Sequence, residues 1–442
     1  MTSIGQEPGL AQRDVGNLLA GPFRQLIPNA LIRQWATATG HTWHETLFNP
    51  VATLWACVEK QLAGHSARQI EDHLAQLAPE HAEETRDGKD FCQARARLPL
   101  EVWPQALRHV AAQVQGSARW RGLELAIIDG TTACMPRTPQ NWAYFGSATN
   151  QHGQGRMPLV RMSFLVIAGV ISAVRGDPYL ISELAQALRL LPQLPGRTLL
   201  LADALYGSYL NVGLVRQRDS DLLCPRKKRR GGTRLKNVGP GEWIERWDRP
   251  RGAHTHWPEL LETLPATQDL RVLIRIVHRP GYRDFELVLC TTLLDPQQYP
   301  AEELTLLYLR RWDIELDIRT LKLQHGLQCL TCKNPDTVLR EIYAACLSFN
   351  CVRCLMSQTN HTVRELSHTR AVALLLAGAQ RMTAASPQTL PRLFRELLLV
   401  IGQCRLVHQL RPPEPRQLVR IVRHYPLLAC SRATWRAIQH AA

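Results

Sequence analysis

The sequence has no apolar run long enough to cross a bilayer. Its longest, from Phe164 to Val174, falls well short of the roughly 20 residues that a spanning helix needs. The start, MTSIGQEPGL, has no basic-then-apolar leader, so we expect an intracellular protein with no membrane partner. Internal repeats and low-complexity tracts are absent, which argues against solenoids and disordered arrays. Cysteine is scattered: twelve in 442 residues suits a reducing compartment and argues against a disulfide scaffold. Acidic residues are outnumbered, 38 against 53 Lys and Arg, for a net charge of +15. A surplus of this size makes a polyanion the default partner, with nucleic acid the commonest.

What is present describes an ordinary folded chain, 45% apolar and 21% charged, long enough for one large domain or two to three smaller ones. Residues 1–118 show apolar side chains at three- and four-residue spacing and read as helices. They form a helical N-terminal region with room for a DNA-binding helix-turn-helix. From 119 the texture changes. ELAIIDG (124–130) is a short buried-strand run ending in Asp129, and residues 158–177 follow as a hairpin. SELAQALRLLPQL is helical, with Ser182 as its cap. RTLLLADALYGSY is another strand, ending in Asp203; LNVGLVRQR is a helix and DLLCP a last strand. The expected class is therefore α/β, with residues 119–225 as the first part of a core. Residues 226–296 break the pattern with RKKRRGGTRLK, three tryptophans and two alternating runs around RPGYRD, and read as a β-rich insertion. The core resumes over 297–360, where Asn334 and Pro335 open a helix. Residues 361–442 are helical and then basic, a candidate for dimerisation.

One cysteine pattern needs weighing. Cys329-x2-Cys332 and Cys351-x2-Cys354 match a four-cysteine zinc template on spacing alone. The second pair lies in a strongly apolar helical stretch, where sulfur packs as a small hydrophobe. We expect core cysteines rather than zinc ligands.

The richest stretch is YLRRWDIELDIRTLK, residues 308–322. On one continuous helix at about 100° per residue, Arg311, Glu315, Arg319 and Lys322 join Tyr308 in a single stripe. Ile314, Ile318 and Leu321 wall one side; Trp312, Leu316 and Leu323 wall the other. Asp313, Asp317 and Arg310 fall opposite, on the expected solvent face. A salt-bridged surface helix would look similar, but a stripe walled by apolar packing is where an enclosed site puts working residues. Glu315 can then join Asp129 and Asp203, each at a strand end. Three converging carboxylates need a counter-charge. The expected one is a pair of Mg²⁺ ions, for which Mn²⁺ can substitute, able to activate a nucleophile and stabilise the leaving oxygen of a phosphodiester.

Y-x2-R-x3-E-x6-K, filled by Tyr308, Arg311, Glu315 and Lys322, resembles the signature of the DDE transposases of insertion-sequence family four. The surroundings agree: IDGTT around Asp129, LLLADALYGSY around Asp203, CKNP at 332–335 and FNCVR at 349–353. The likeness covers roughly 85–360, with a weaker echo in RHYPLL. It implies a ribonuclease-H-like core interrupted by a β-rich insertion, with Asp129, Asp203 and Glu315 as catalytic metal ligands. It also implies Tyr308, Arg311 and Lys322 on double-stranded DNA at the element's terminal inverted repeats. Similar proteins nick element ends, pass through a hairpin and join target DNA as a synaptic homodimer. Ala204 and Tyr206 depart from the family's more usual Arg and Phe. No matching motif places the family's base-stacking aromatic; Trp243, Trp247 and Trp257 are the candidates. The basic run Arg226, Lys227, Lys228, Arg229 and Arg230 is expected to track phosphates. Two rival readings are a DNA-binding transposase descendant that no longer cuts and a ribonuclease-H-like nuclease without strand transfer.

Overall fold

The computed structural model describes residues 19–44, 47–77, 87–114, 119–150, 153–227, 232–250, 257–278, 284–383, 385–386, 388–406, 430–431, 433–434 and 437. Residues Met1–Arg275 and Leu287–Leu406 belong to one compact unit; Ile276–Glu286 and Val407–Ala442 belong to a second. The basic residues 411–423 and the RHYPLL segment lie outside the described residues, as does most of RPGYRD. Among the described residues, no helix is long and apolar enough to cross a membrane.

The centre is a mixed sheet of nine strands: β1 (Glu124–Cys134), β2 (Leu159–Ile167), β3 (Val170–Pro178), β4 (Thr198–Leu201), β5 (Asp221–Pro225), β6 (Thr233–Gly239), β7 (Glu242–Asp248), β8 (Thr267–Val277) and β9 (Phe285–Thr291). Their order across the sheet is β3-β2-β1-β4-β5-β9-β8-β7-β6. The expected hairpin is β2–β3, turning at Ala168 and Gly169 with φ of 53° and 79°, the left-handed pair that matches a tight hairpin's twist. β1 is antiparallel to β2 but parallel to β4, and β4 is parallel to β5. The segment expected as an insertion does not stand apart. β9 pairs with β5, Leu289 opposite Pro225, and its four strands extend the same sheet.

β1 is longer than its apolar letters suggest. The expected end at Asp129 is wrong: the strand runs on to Cys134 because β2 stays paired with it, Asp129 opposite Phe164 and Cys134 opposite Leu159. Pairing with β4 stops earlier, at Ile127 opposite Leu201.

Helices cover both faces. In chain order they are α1 (Asn29–Ala38), α2 (Pro50–Ala63), α3 (Ala67–Leu77), α4 (Lys89–Arg97), α5 (Val102–Ala111), α6 (Pro139–Phe145), α7 (Glu183–Leu190), α8 (Tyr209–Arg216), α9 (Pro258–Glu262), α10 (Ala301–Leu309), α11 (Trp312–Gln324), α12 (Pro335–Ser357), α13 (His368–Thr383) and α14 (Leu390–Gly402). On one face Ala187 and Leu190 of α7 and Tyr209, Val212 and Val215 of α8 share a core with Ala126, Ile128 and Leu200. Ser182 caps α7 by accepting from the Ala185 amide at 3.2 Å. On the other face lies α12, capped by Asn334 and buried along nearly its whole length. It packs against α2, α5 and β3, so the N-terminal helices are joined to the central layer through it. Glu341 of α12 fixes this junction. It takes Lys60 of α2 at 3.4 Å, the Thr331 hydroxyl at 2.6 Å and the amides of Thr331 and Cys332 at 2.9 and 3.0 Å.

The stretch 308–322 is two helices, not one. Arg310 and Arg311 form a tight turn in which Arg311 N donates to Tyr308 O at 2.9 Å and Asp313 N to Arg310 O at 2.9 Å. Bonds three residues apart wind more tightly than an α-helix, which shifts the phase between Tyr308 and Glu315. The walls also differ from expectation. Ile314 and Leu321 are buried, but Trp312, Leu316 and Leu323 are 60%, 49% and 62% exposed, so apolar packing closes one side only. Asp317 is not a solvent residue: it is fully buried, bound by Arg353 at 3.0 Å and Arg364 at 2.6 Å. A helical wheel counts Asp as polar and turns it outward, whereas two guanidiniums from neighbouring segments pay for its desolvation.

Asp317→Ala is therefore expected to cost about 3–5 kcal/mol, against about 1 kcal/mol or less for the more exposed Asp313→Ala, both read by urea unfolding. Burial alone would raise the Glu341 carboxyl, but Lys60 and its hydrogen bonds win and hold it below the ordinary 4.5. A lowered folded-state pKa contributes stability above the unfolded value that disappears as pH falls through the folded one. Glu341→Gln should thus cost about 1.5–3 kcal/mol at neutral pH, and the gap from the parent should narrow as pH drops below 4.5.

Candidate functional site

The register of β1 against β4 sets up the site. Ile127 faces Leu201, and two residues past each member of that pair stand Asp129 and Asp203. Equal overshoot on adjacent parallel strands brings both aspartates to one edge of the sheet. Asp203 folds back in a short turn, its Oδ1 accepting from the Leu205 amide at 2.7 Å. Asp129 Oδ1 accepts from the Gly130 amide at 2.8 Å.

Across this edge lies the α10–α11 turn. Arg311 donates from Nη1 to Asp129 Oδ2 at 3.0 Å and from Nη2 to Glu315 Oε1 at 2.9 Å. The structure thus brings Asp129, Arg311 and Glu315 into direct contact, with Tyr308 against the same guanidinium. Burial works against the Arg311 charge, but Tyr308, Glu315 and Asp129 outweigh it and hold the guanidinium more firmly protonated than usual. Burial pushes the Asp129 carboxyl above its ordinary value. The Gly130 amide and Arg311 oppose that shift; the neighbouring Asp203 and Glu183 charges add to it. The Tyr308 phenol is pushed up to about 12, chiefly by burial.

Lys322 is two turns further along α11. It is half-buried, and burial lowers its pKa. Among the described residues no hydrogen bond or ion pair engages its ammonium, so it does not join the Arg311 cluster.

The other expected site residues fare differently. Lys228, Arg229 and Arg230 lie outside the described residues. Lys227 is described, with its Nζ donating to the Leu205 carbonyl at 3.3 Å. Arg226 is not a free phosphate contact. Its guanidinium is paired with the buried Glu245, Nη2 to Oε2 at 3.0 Å and Nε to Oε1 at 3.1 Å, because a carboxylate that deep needs a counter-charge. Trp247 is buried and donates to the same Glu245 at 2.6 Å, and Trp243 donates to it at 3.3 Å beneath the Arg234 guanidinium. Trp257 is half-buried with φ of 56°.

Glu183 lies in the first turn of α7. Its carboxyl lies over Gly130, where an added Cβ would meet Glu183 Cδ at 3.0 Å, while Arg161 holds its Oε1 at 3.1 Å. The glycine directly after Asp129 is the trace of that close approach.

All the acidic groups at this edge offer oxygen, the donor type that a hard divalent cation prefers. Among the described residues, no group of three His, Cys, Asp or Glu side chains stands close enough to hold a metal ion; the positive charge between Asp129 and Glu315 is that of Arg311. Of the four cysteines with zinc-like spacing, Cys332, Cys351 and Cys354 are buried and Cys329 is exposed.

The family model described as Transposase DDE domain matches residues 120–351, from just before β1 to the middle of α12. Transposase InsG for insertion sequence element IS4, from Escherichia coli (strain K12), is 28% identical over 328 residues, covering 69% of this chain and 70% of that protein. Among solved structures, the piggyBac transposase synaptic complex with hairpin DNA aligns at a TM-score of 0.42 and 11% identity, over 88% of this chain and 86% of that one. With more than half of its length inside the family match, and with Asp129, Asp203 and Glu315 all within the matched span, this chain belongs to the DDE transposases, of the insertion-sequence-four type.

Proposed function

We propose that the protein is a cut-and-paste transposase. It binds terminal inverted repeats, cleaves element ends by metal-assisted hydrolysis of a phosphodiester, proceeds through a hairpin and joins the ends to target DNA as a synaptic homodimer. The observation that carries this reading is the Arg311 bridge between Asp129 and Glu315, just past the point where β1 parts from β4. The sheet order supports a ribonuclease-H-like core: β3-β2-β1-β4-β5, with only β2 antiparallel to its central neighbour β1.

On this reading Asp129, Asp203 and Glu315 would hold two Mg²⁺ ions, which would supply polarisation of a water or 3′-hydroxyl and neutralisation of the leaving oxygen. The donor set fits in chemistry, being all oxygen. Burial raises the Asp129 carboxyl and the Asp203 and Glu183 charges add to that, a shift that a bound cation would oppose. The chain's own residues prepare the site. Arg311 keeps two carboxylates facing each other until it turns to a DNA phosphate. Tyr308 backs the guanidinium. Lys322, half-buried and unpaired among the described residues, and the exposed Arg319 are placed to meet phosphates further along the strand.

Asp129→Asn and Asp203→Asn should each reduce cleavage of element ends in Mg²⁺ by at least about a thousandfold, with end binding in gel-shift assays nearly unchanged. Cleavage at parental rate by either variant contradicts the proposed ligands. Pre-cut ends supplied with target DNA should give joined products, whereas a nuclease without strand transfer leaves them unjoined. Lys322→Ala should weaken end binding on all sequences and flatten its salt dependence by roughly 0.9 in log–log slope per lost phosphate contact.

A further inference from the structure

Cys134, the last residue of β1, and Cys329, in the segment leaving α11, are bridged neighbours: their backbones pair in parallel, with the Leu330 amide donating to the Cys134 carbonyl at 2.9 Å. Their sulfurs stand 3.4 Å apart. Residues paired across a sheet have Cα atoms about 5 Å apart, inside the roughly 4.4–6.8 Å span of a disulfide, so side-chain rotation suffices to close the bond. Cys329 is exposed and Cys134 half-buried. Cys224 and Cys290 provide an internal contrast: their sulfurs are nearly as close, at 3.5 Å, but both are sealed in the sheet.

We propose that Cys134 and Cys329 form a reversible thiol–disulfide modification site, which under disulfide stress ties the strand carrying Asp129 to the exit of the helix carrying Glu315. The co-oxidant is a low-molecular-weight disulfide such as oxidised glutathione. The exposed Cys329 thiolate attacks one of its sulfurs and expels a glutathione thiolate. The Cys134 thiolate then attacks the Cys329 sulfur and expels the second. One protein S–S bond forms, the glutathione S–S bond breaks, two electrons pass to glutathione, and the protons of the two cysteines end on the two released thiols. The hydrogen bond with Cys134, and burial, push the Cys329 thiol up, so closure accelerates with pH. The site does not depend on which reaction the carboxylates perform.

The full-length protein is incubated with oxidised glutathione at pH 8.5, alkylated, digested and examined by mass spectrometry. The expected product is a Cys134–Cys329 linked peptide in most molecules, with Cys224 and Cys290 unlinked. A rise of at least about 3 °C in melting temperature, reversed by dithiothreitol, should accompany it. Cys134→Ser and Cys329→Ser should each melt like the reduced parent and lose both the link and the shift. A stable glutathione adduct on Cys329 with Cys134 still alkylated, a link between chains, or no oxidation at all would overturn the proposal.

Discussion

One guanidinium ties together the acidic edge of this sheet. Asp129 is mostly buried and its charge is disfavoured there, with Asp203 and Glu183 adding repulsion. Arg311 answers that strain with two directed hydrogen bonds, one to the strand and one to its own helix. Lysine, a single point charge, could not hold both carboxylates in fixed planes. The tight turn at Arg310–Arg311 joins α10 to α11, and from its end Arg311 reaches both Glu315, one helical turn on, and Asp129 on the sheet. Beneath it, Asp317 with Arg353 and Arg364 locks the first turns of α11 to α12 and to the segment after it. Glu315 is thus presented by a helix whose rotation is already fixed.

Much of this was legible in the sequence. The alternation of strand and helix from 124 to 225 is visible because buried strands are continuous apolar runs, and because Ser182 and Asn334 announce the helices that they cap. The spacing of Tyr308, Arg311, Glu315 and Lys322 is equally plain. Three things were hidden. The second half of β1, GTTAC, carries no strong strand pattern and is strand because β2 pairs with it. The side of α11 that faces the core cannot be read when a buried position is aspartate. And Arg226 looks like the start of a basic arm until Glu245, nineteen positions away, proves to need it.

The four added strands carry a related lesson. β6 is mostly exposed and rich in basic residues, while β7 buries Glu242 and Glu245 beside tryptophan. Basic charge among the described residues of this segment therefore has two destinations: Arg226, Arg271 and Arg275 neutralise buried carboxylates, while Arg234 and Lys236 of β6 are exposed. Net charge predicts a polyanion partner, but it does not say which arginines are available to meet one.

The pairing of Ile127 with Leu201 also acts as a ruler. Side chains alternate faces along a strand, so a one-residue insertion in β1 between Ile127 and Asp129 would send that aspartate to the opposite face. An insertion of two residues there would keep the face but carry the aspartate roughly 6.6 Å along the strand, away from Arg311. In any chain that keeps this sheet, locating one aspartate and the last paired residues therefore locates the other, even where the surrounding letters have drifted beyond recognition.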